Sequence, residues 1–346
     1  MTSTVPSNSP NASVLEGVPG PLIPGTGHEA RIGADAQAVT TRYWQYGEGM
    51  GSGSFPEGCY PVLLVHGFRG DHHGLEIIAN YLLKLIPNVS IISPDLPGFG
   101  RSADLPENAQ GGDNINAYVA WLNDFVEHTN PAREDAQPLP LHLVGHSFGS
   151  IVTSAFAAAH PNSLALLSLI NPISEPALEG SQRVASRLAS LYYRAGAALP
   201  EKIGYPLLRS QLITRASSEV MMRTKDKAMR RLINGQHAAY FGSFGSRRGV
   251  LSAYEASITH TAAEYAAAIR VPVQMLVAED DDLGTPETAR AMYATLTSRS
   301  LPATSTGARE RLDIIPEVGH LIHYETPRRA AELIADFAAD HSGNEK

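Results

Sequence analysis

The sequence predicts an α/β protein: a doubly wound, mostly parallel sheet that carries one helical cap insertion. Three observations predict it. Short, wholly apolar runs recur along the chain, the pattern of strands covered by helices on both faces. Stretches with helical spacing of apolar residues separate these runs, and such alternation implies parallel strands joined by crossover helices. From about Glu175 to Glu255 the alternation stops while helical patches continue, which marks an insertion lying over one end of the sheet.

Residues 1–26 are rich in Ser, Pro, Asn and Gly with no hydrophobic period, so a flexible leader is expected there. The β-branched and aromatic content of Gln37 to Tyr46 suggests a strand, and the Gly-rich stretch Gly47 to Gly53 turns the chain after it. Pro61 to Val65 (PVLLV), Val89 to Ile92, Leu139 to Val144 and Leu164 to Ile170 are the buried strands. Helices are expected at about His73–Ile86, Asn114–His128 and Phe148–His160, the last stopped by Pro161. Val271–Val277 and Arg311–Ile315 add two strands, and Thr326–Phe337 closes the fold as an amphipathic helix with Pro327 in its first turn. The expected organisation is a leader at 1–26, an α/β core formed by 27–174 and 260–346, and a helical cap at 175–259.

At 346 residues, 43% hydrophobic and 18% charged, the chain has enough apolar material for a large buried core. A net charge of -8 argues against attraction of the whole protein to nucleic acid or to an anionic membrane, which leaves room only for a local basic patch, and no nucleic-acid partner is expected. The single cysteine, Cys59, can form neither an intrachain disulfide nor a cysteine metal cluster. The N-terminus lacks the basic start and apolar run of a signal peptide, and no stretch nears the roughly 20 apolar residues that span a bilayer. A cytoplasmic location is the expectation.

The strongest chemical signal is Gly145-His146-Ser147-Phe148-Gly149, a G-x-S-x-G set between the strand Leu139–Val144 and the helix Phe148–His160. In that context the small glycines permit a sharp strand-to-helix turn that holds the serine hydroxyl above the sheet. The helix N-terminus beneath it favours developing negative charge. A serine hydroxyl is a weak nucleophile at neutral pH, so it needs a base, and the base needs an orienting acid. His320 follows the last strand, at the sheet edge where the serine would stand. Glu279, Asp280, Asp281 and Asp282 follow Val271–Val277 directly, so the acid is expected among them.

Two further motifs complete the pattern: His66-Gly67-Phe68-Arg69-Gly70 after the strand Pro61–Val65, and Asp95-Leu96-Pro97-Gly98-Phe99-Gly100-Arg101-Ser102. Together the motifs resemble the α/β-hydrolase superfamily, in its capped esterase, lipase and C–C hydrolase branch, over about residues 60–174 and 264–340. The resemblance implies Ser147 as nucleophile and His320 as base. The family's acid loop is similar to the run from Ala278 to Pro286, a register that selects Asp281, with Asp282 as the fallback. It also implies that the backbone N–H groups of Phe68 and Phe148 form an oxyanion hole. The sequence has no G-x-x-x-x-G-K-[ST] loop and no paired-Cys or H-E-x-x-H metal site, so neither cofactor nor metal is expected. No aspartate replaces Ser147, which disfavours the branches that use an Asp nucleophile. Hydrolysis of a small-to-medium carboxylic ester through an acyl-enzyme is the expected activity. Amide, lactone or C–C bond hydrolysis and perhydrolysis share the same residues, and a ligand-binding sensor on a hydrolase scaffold is the rival of another class.

The cap carries thirteen basic against six acidic residues, a local charge of +7 set against -15 for the remainder of the chain. A solvated helical lid explains this blandly. The sharper expectation is that a basic lid steers an anionic small-molecule substrate, or docks on an anionic lipid surface with Tyr240, Phe241 and Phe244 as apolar contacts.

Overall fold

The computed structural model describes residues 22–106, 114–132, 137–178, 183–299 and 310–341. Eight strands form one sheet: β1 (Thr26–Ile32), β2 (Val39–Gly47), β3 (Tyr60–Val65), β4 (Val89–Pro94), β5 (Leu141–His146), β6 (Leu164–Ile170), β7 (Val273–Ala278) and β8 (Arg311–Ile315). Their order is β1-β2-β4-β3-β5-β6-β7-β8. The pairs β1–β2 and β2–β4 are antiparallel and the rest parallel. The parallel part starts at β3, steps to β4 on one side and then crosses back to run from β5 outward to β8 on the other, which is the doubly wound topology.

The sequence does not announce strand β1, and its first residue, Thr26, falls within the leader expected at 1–26. Its segment TGHEARI alternates weakly, with Ile32 as its buried aliphatic residue, so no apolar run announces it. Pairing supplies what the pattern lacks: the strand hydrogen-bonds along β2, where Glu29 lies opposite Arg42 and forms an ion pair at 2.7 Å. Of the expected leader, residues 1–21 lie outside the described residues.

Each parallel strand sends alternate side chains to opposite faces, as the two-residue period requires. On β3, Leu63 and Val65 join one core cluster while Val62 and Leu64 join the other. The first face is covered by α2 (Asn114–Thr129), α3 (Phe148–Ala159) and α9 (Pro286–Thr297), through side chains such as Phe125, Phe156 and Met292. The second is covered by α1 (His73–Leu85) and α10 (Pro327–His341), which also touch each other, through Leu75, Leu82, Ile334 and Phe337. Burying each such side chain contributes about 1.5–3 kcal/mol. The strand interiors therefore settle the register.

Between β6 and β7 the chain forms α4 (Arg183–Ala198), α5 (Glu201–Leu208), α6 (Gln211–Met221), α7 (Lys227–Tyr240) and α8 (Arg247–Thr259). The excursion leaves and returns at one point, where Ala262 N donates to Ile173 O at 2.7 Å. Good N-caps start two of its helices: Asp226 accepts from Ala228 N and Met229 N, and Ser246 accepts from Gly249 N. Among the described residues, no helix is long and apolar enough to cross a membrane.

Candidate active site

Ser147 caps the N-terminus of α3 at φ 52° and ψ -121°, a conformation that costs a non-glycine residue on the order of 1–3 kcal/mol. Close packing of the turn enforces it. A Cβ on Gly145 would stand 2.2 Å from Thr153 Oγ1, and one on Gly149 would stand 2.4 Å from Val65 O. Any side chain at either glycine would push the turn off β3 and α3. Ser147 N in turn donates to Ile170 O at 3.0 Å, which ties the serine to β6.

His320 lies beyond β8, and its Nε2 is 2.8 Å from Ser147 Oγ while its Nδ1 is 2.8 Å from Asp281 Oδ2. Asp281 stands just past the end of β7, 3% exposed, and also accepts from Leu283 N at 2.8 Å. A carboxylate only accepts, so His320 Nδ1 carries its proton toward Asp281, and Nε2 is left to accept from the Ser147 hydroxyl. The structure thus brings Ser147, His320 and Asp281 together from three strand ends. Asp282 is turned away and pairs with Arg223 on the surface.

One residue that sequence reading missed holds this arrangement. Asn171 follows β6 at φ 44°, accepts from Ala278 N at 2.8 Å and donates to His320 O at 2.8 Å, so one amide links the loops of Asp281 and His320. Its signal was weak: asparagine tolerates left-handed backbone after a strand, as at many turns. Glu325 is a second such residue. It accepts from Gly319 N at 2.9 Å with one oxygen and from Arg223 N and Thr224 N at 2.6 Å with the other, joining the His320 loop to the cap.

Phe68 and Phe148 flank the serine. Phe148 opens α3, Phe68 lies in the loop after β3, and their rings meet edge to face at 6.5 Å. Among the described residues neither backbone N–H has a hydrogen-bond partner. His66 of the same loop is structural: its Nε2 accepts from Leu96 N at 2.8 Å, and burial lowers its pKa. Asp95 is occupied with main chain and a neighbouring ring, accepting from His72 N, His72 Nδ1 and Arg101 N.

Arg69 has a left-handed φ of 60° and is 3% exposed, with no carboxylate beside it among the described residues. Its guanidinium donates to Phe241 O at 3.0 Å and Leu208 O at 2.7 Å, both in the cap, and lies over the rings of Phe241 and Phe244 at 5.2 and 5.8 Å. Tyr240 stacks on His73 at 3.7 Å. The three aromatic residues expected to face a lipid surface are therefore turned inward, because a buried cation and an imidazole hold them there.

The serine opens into a cavity of about 140 Å³. Its walls include Phe68, Leu75, Leu283 and Leu321 from the core and Met221, Tyr240 and Phe241 from the cap. Besides His66, three lining histidines are held neutral by burial: His146 is lowered to about 3, His237 to about 4, and His323 well below the ordinary imidazole range. Ser218 fixes the tautomer of His237, since its hydroxyl donates to Thr214 O at 2.9 Å and accepts from His237 Nδ1 at 2.5 Å. No Lys or Arg lines the cavity among the described residues.

Asp71, also on the wall, is the carboxylate there. Burial alone would raise it, but the hydrogen bond from His73 at 3.0 Å and the surrounding imidazoles hold it below the usual range. Asp71, His72 and His73 bring possible metal-ligand atoms within 4.8 Å of one another. Both histidines already use Nδ1, that of His73 with Asp71 and that of His72 with Asp95.

A mostly parallel doubly wound sheet with a serine at its strand-to-helix elbow defines a class, and the chain matches the model of the alpha/beta hydrolase family over residues 62–333 and belongs to that family. It is 24% identical to monoacylglycerol lipase ABHD6 of Homo sapiens over 285 residues, 80% of this chain and 75% of that one. It is 26% identical to abhydrolase domain-containing protein abhd-5.2 of Caenorhabditis elegans over 141 residues, which span 39% of this chain and only 28% of that protein. The fold is also similar to that of the enol-lactonase from Burkholderia xenovorans LB400, with a TM-score of 0.66 and 17% identity over 90% of this chain and 99% of the other.

Proposed function

We propose that the protein is a serine hydrolase that cleaves small-to-medium carboxylic esters through an acyl-enzyme on Ser147. The observation that carries this reading is the unbroken chain Ser147 Oγ, His320 Nε2, His320 Nδ1, Asp281 Oδ2, with both contacts at 2.8 Å, at the floor of a cavity. His320 takes the serine proton as Ser147 attacks the ester carbonyl, and the oxyanion accepts hydrogen bonds from the N–H groups of Phe68 and Phe148. His320 then gives the proton to the departing alkoxide. Water attacks the acyl-enzyme by the same steps and releases the acid. Asp281 keeps His320 in the tautomer this needs and stabilises the imidazolium.

The apolar walls and modest volume suit a short or medium acyl chain. The absence of Lys and Arg from the described lining, beside the Asp71 carboxylate, supports an uncharged substrate over an anionic one. The reading also agrees with the lipase named among the relatives. A fluorophosphonate probe should label Ser147 stoichiometrically, and a panel of p-nitrophenyl esters of graded acyl length should show turnover. Absence of both would favour a ligand-binding protein on a hydrolase scaffold. Preference for a lactone or a dienoic ketone in the same panel would move the bond cleaved without moving the residues.

A further inference from the structure

Every large aliphatic side chain more than half exposed among the described residues lies in the cap: Val184, Leu188, Leu191, Ile203, Leu212 and Val220, the extreme being Leu212 at 78%. Helical periodicity explains how they come to point outward. On α6, Thr214 and Ser218 face inward, and Ser218 holds the cavity residue His237, so Leu212, Arg215 and Val220 fall on the opposite side. On α4, Tyr193 and Gly196 are buried, and Val184, Arg187, Leu188, Leu191 and Arg194 are exposed. Both helices therefore show water a face of mixed aliphatic and basic residues, where a surface helix ordinarily shows polar ones.

Charge says which partner that face fits. The cap carries +7 and the rest of the chain -15, so near an anionic surface the molecule is attracted at one end and repelled at the other. Arg187, Lys202 and Arg215 are exposed and form no ion pair among the described residues, and in sequence they lie within three residues of Leu188, Ile203 and Leu212. Aliphatic residues that enter the headgroup boundary, with guanidinium and ammonium groups at phosphate level, are how an amphipathic helix lies on a membrane. We infer that the outer faces of α4 and α6 dock the protein on an anionic phospholipid surface, with the cap toward the lipid and the acidic core away from it.

This inference does not depend on the hydrolytic reading, and Ser147→Ala protein should dock as the wild type does. The test is sedimentation of the full chain with vesicles of phosphatidylcholine containing about one third phosphatidylglycerol, and with phosphatidylcholine alone. Wild type should pellet at least tenfold more strongly with the anionic vesicles, and 1 M salt should weaken the effect. Leu188→Glu/Leu191→Glu and Arg187→Gln/Arg215→Gln should each reduce pelleting about tenfold or more, while turnover of a soluble p-nitrophenyl ester and the melting temperature stay unchanged. Equal pelleting with both vesicle types, no pelleting, or pelleting unaffected by the substitutions would overturn it. A wild-type dimer in sedimentation equilibrium that Leu188→Glu/Leu191→Glu dissolves would reassign the face to a second copy of the chain and also overturn it.

Discussion

The floor and the roof of the cavity are fixed by different means. On the floor, Ser147, His320 and Asp281 sit at the ends of β5, β8 and β7, and the backbone approaches so closely at Gly145 and Gly149 that a single methyl group would not fit. On the roof, Met221, Tyr240 and Phe241 belong to the cap, which backbone bonds such as His320 N to Met221 O, Gly100 N to Ser243 O and Gly245 N to Gly98 O tie to the core together with two side chains: Arg69 through the carbonyls of Leu208 and Phe241, and Glu325 through the N–H groups of Arg223 and Thr224. Backbone packing leaves one arrangement available. The roof's side-chain ties can be broken one at a time while its backbone bonds remain, so it should respond to substitution gradually where the floor responds all at once.

The sharpest break in that comparison should come on the floor. Ser147→Ala and His320→Ala should each lower kcat by roughly 10⁴- to 10⁶-fold with little change in melting temperature, and the double variant should be scarcely worse, because the three residues act as a unit. Additive losses in steady-state kinetics would refute the proposed roles. Asp281→Asn should cost about 10⁴-fold by reversing the tautomer of His320. Asp282→Asn, which removes only a surface pair with Arg223, should change kcat by a few-fold at most.

Roof variants should show the other behaviour. Arg69→Met would leave the carbonyls of Leu208 and Phe241 without their donor, at about 1–3 kcal/mol for each buried group. A lower melting temperature together with a raised KM is expected, with kcat falling far less than on the floor. If kcat instead falls as far as in Ser147→Ala, the two halves are not separable.

The smallest effect is one the two halves share. His142 in the sheet and His237 under the roof are held neutral by burial, lowered to about 3 and about 4. Their folded pKa lies below the unfolded one, so the unfolded chain binds more protons as pH falls through 6.5, and stability drops with it. At pH 5 each should cost on the order of 2 kcal/mol relative to pH 8. Denaturant melts of the wild type, His142→Gln and His237→Gln would measure this, and the variants should lose part of the acid sensitivity. Asp71 and His73 act in opposite directions. The depressed Asp71 contributes stability that disappears only as pH falls through its folded pKa, and the raised His73 contributes stability that is lost as pH rises through its own.

The same contrast explains what was legible in the sequence. Parallel strands buried on both faces announce themselves as apolar runs, and the elbow needs glycines at fixed spacing, so the sheet and the position of Ser147 could be read without coordinates. Strand β1 could not, because its seven residues owe their conformation to pairing with β2 rather than to their own pattern. Asn171, Glu325 and Arg69 act through contacts with residues far away in the chain, and polar residues carry no period that would reveal such partners. The charge excess of the cap was plain from counting. Which side chains it turns outward was not: Tyr240, Phe241 and Phe244 were natural candidates for the surface, and the exposed ones are aliphatic residues of α4 and α6.

The hydrogen bond between Ala262 N and Ile173 O, where the cap leaves and rejoins the core, has a consequence for how this architecture changes over time. About 90 residues separate two groups held 2.7 Å apart, so to the core the whole cap is a single closed loop. Closing a loop grows more costly only with the logarithm of its length, by about 0.6 kcal/mol for each doubling. Lengthening, shortening or exchanging the five helices between those two points therefore adds little loop-closure cost to the sheet, provided the new segment satisfies its own backbone, supplies acceptors for the buried Arg69 and covers the core face that Leu208, Phe244 and Val250 cover now. Chemistry and selectivity can then diversify at different rates within one chain, the serine elbow staying fixed while the walls around the substrate are rewritten.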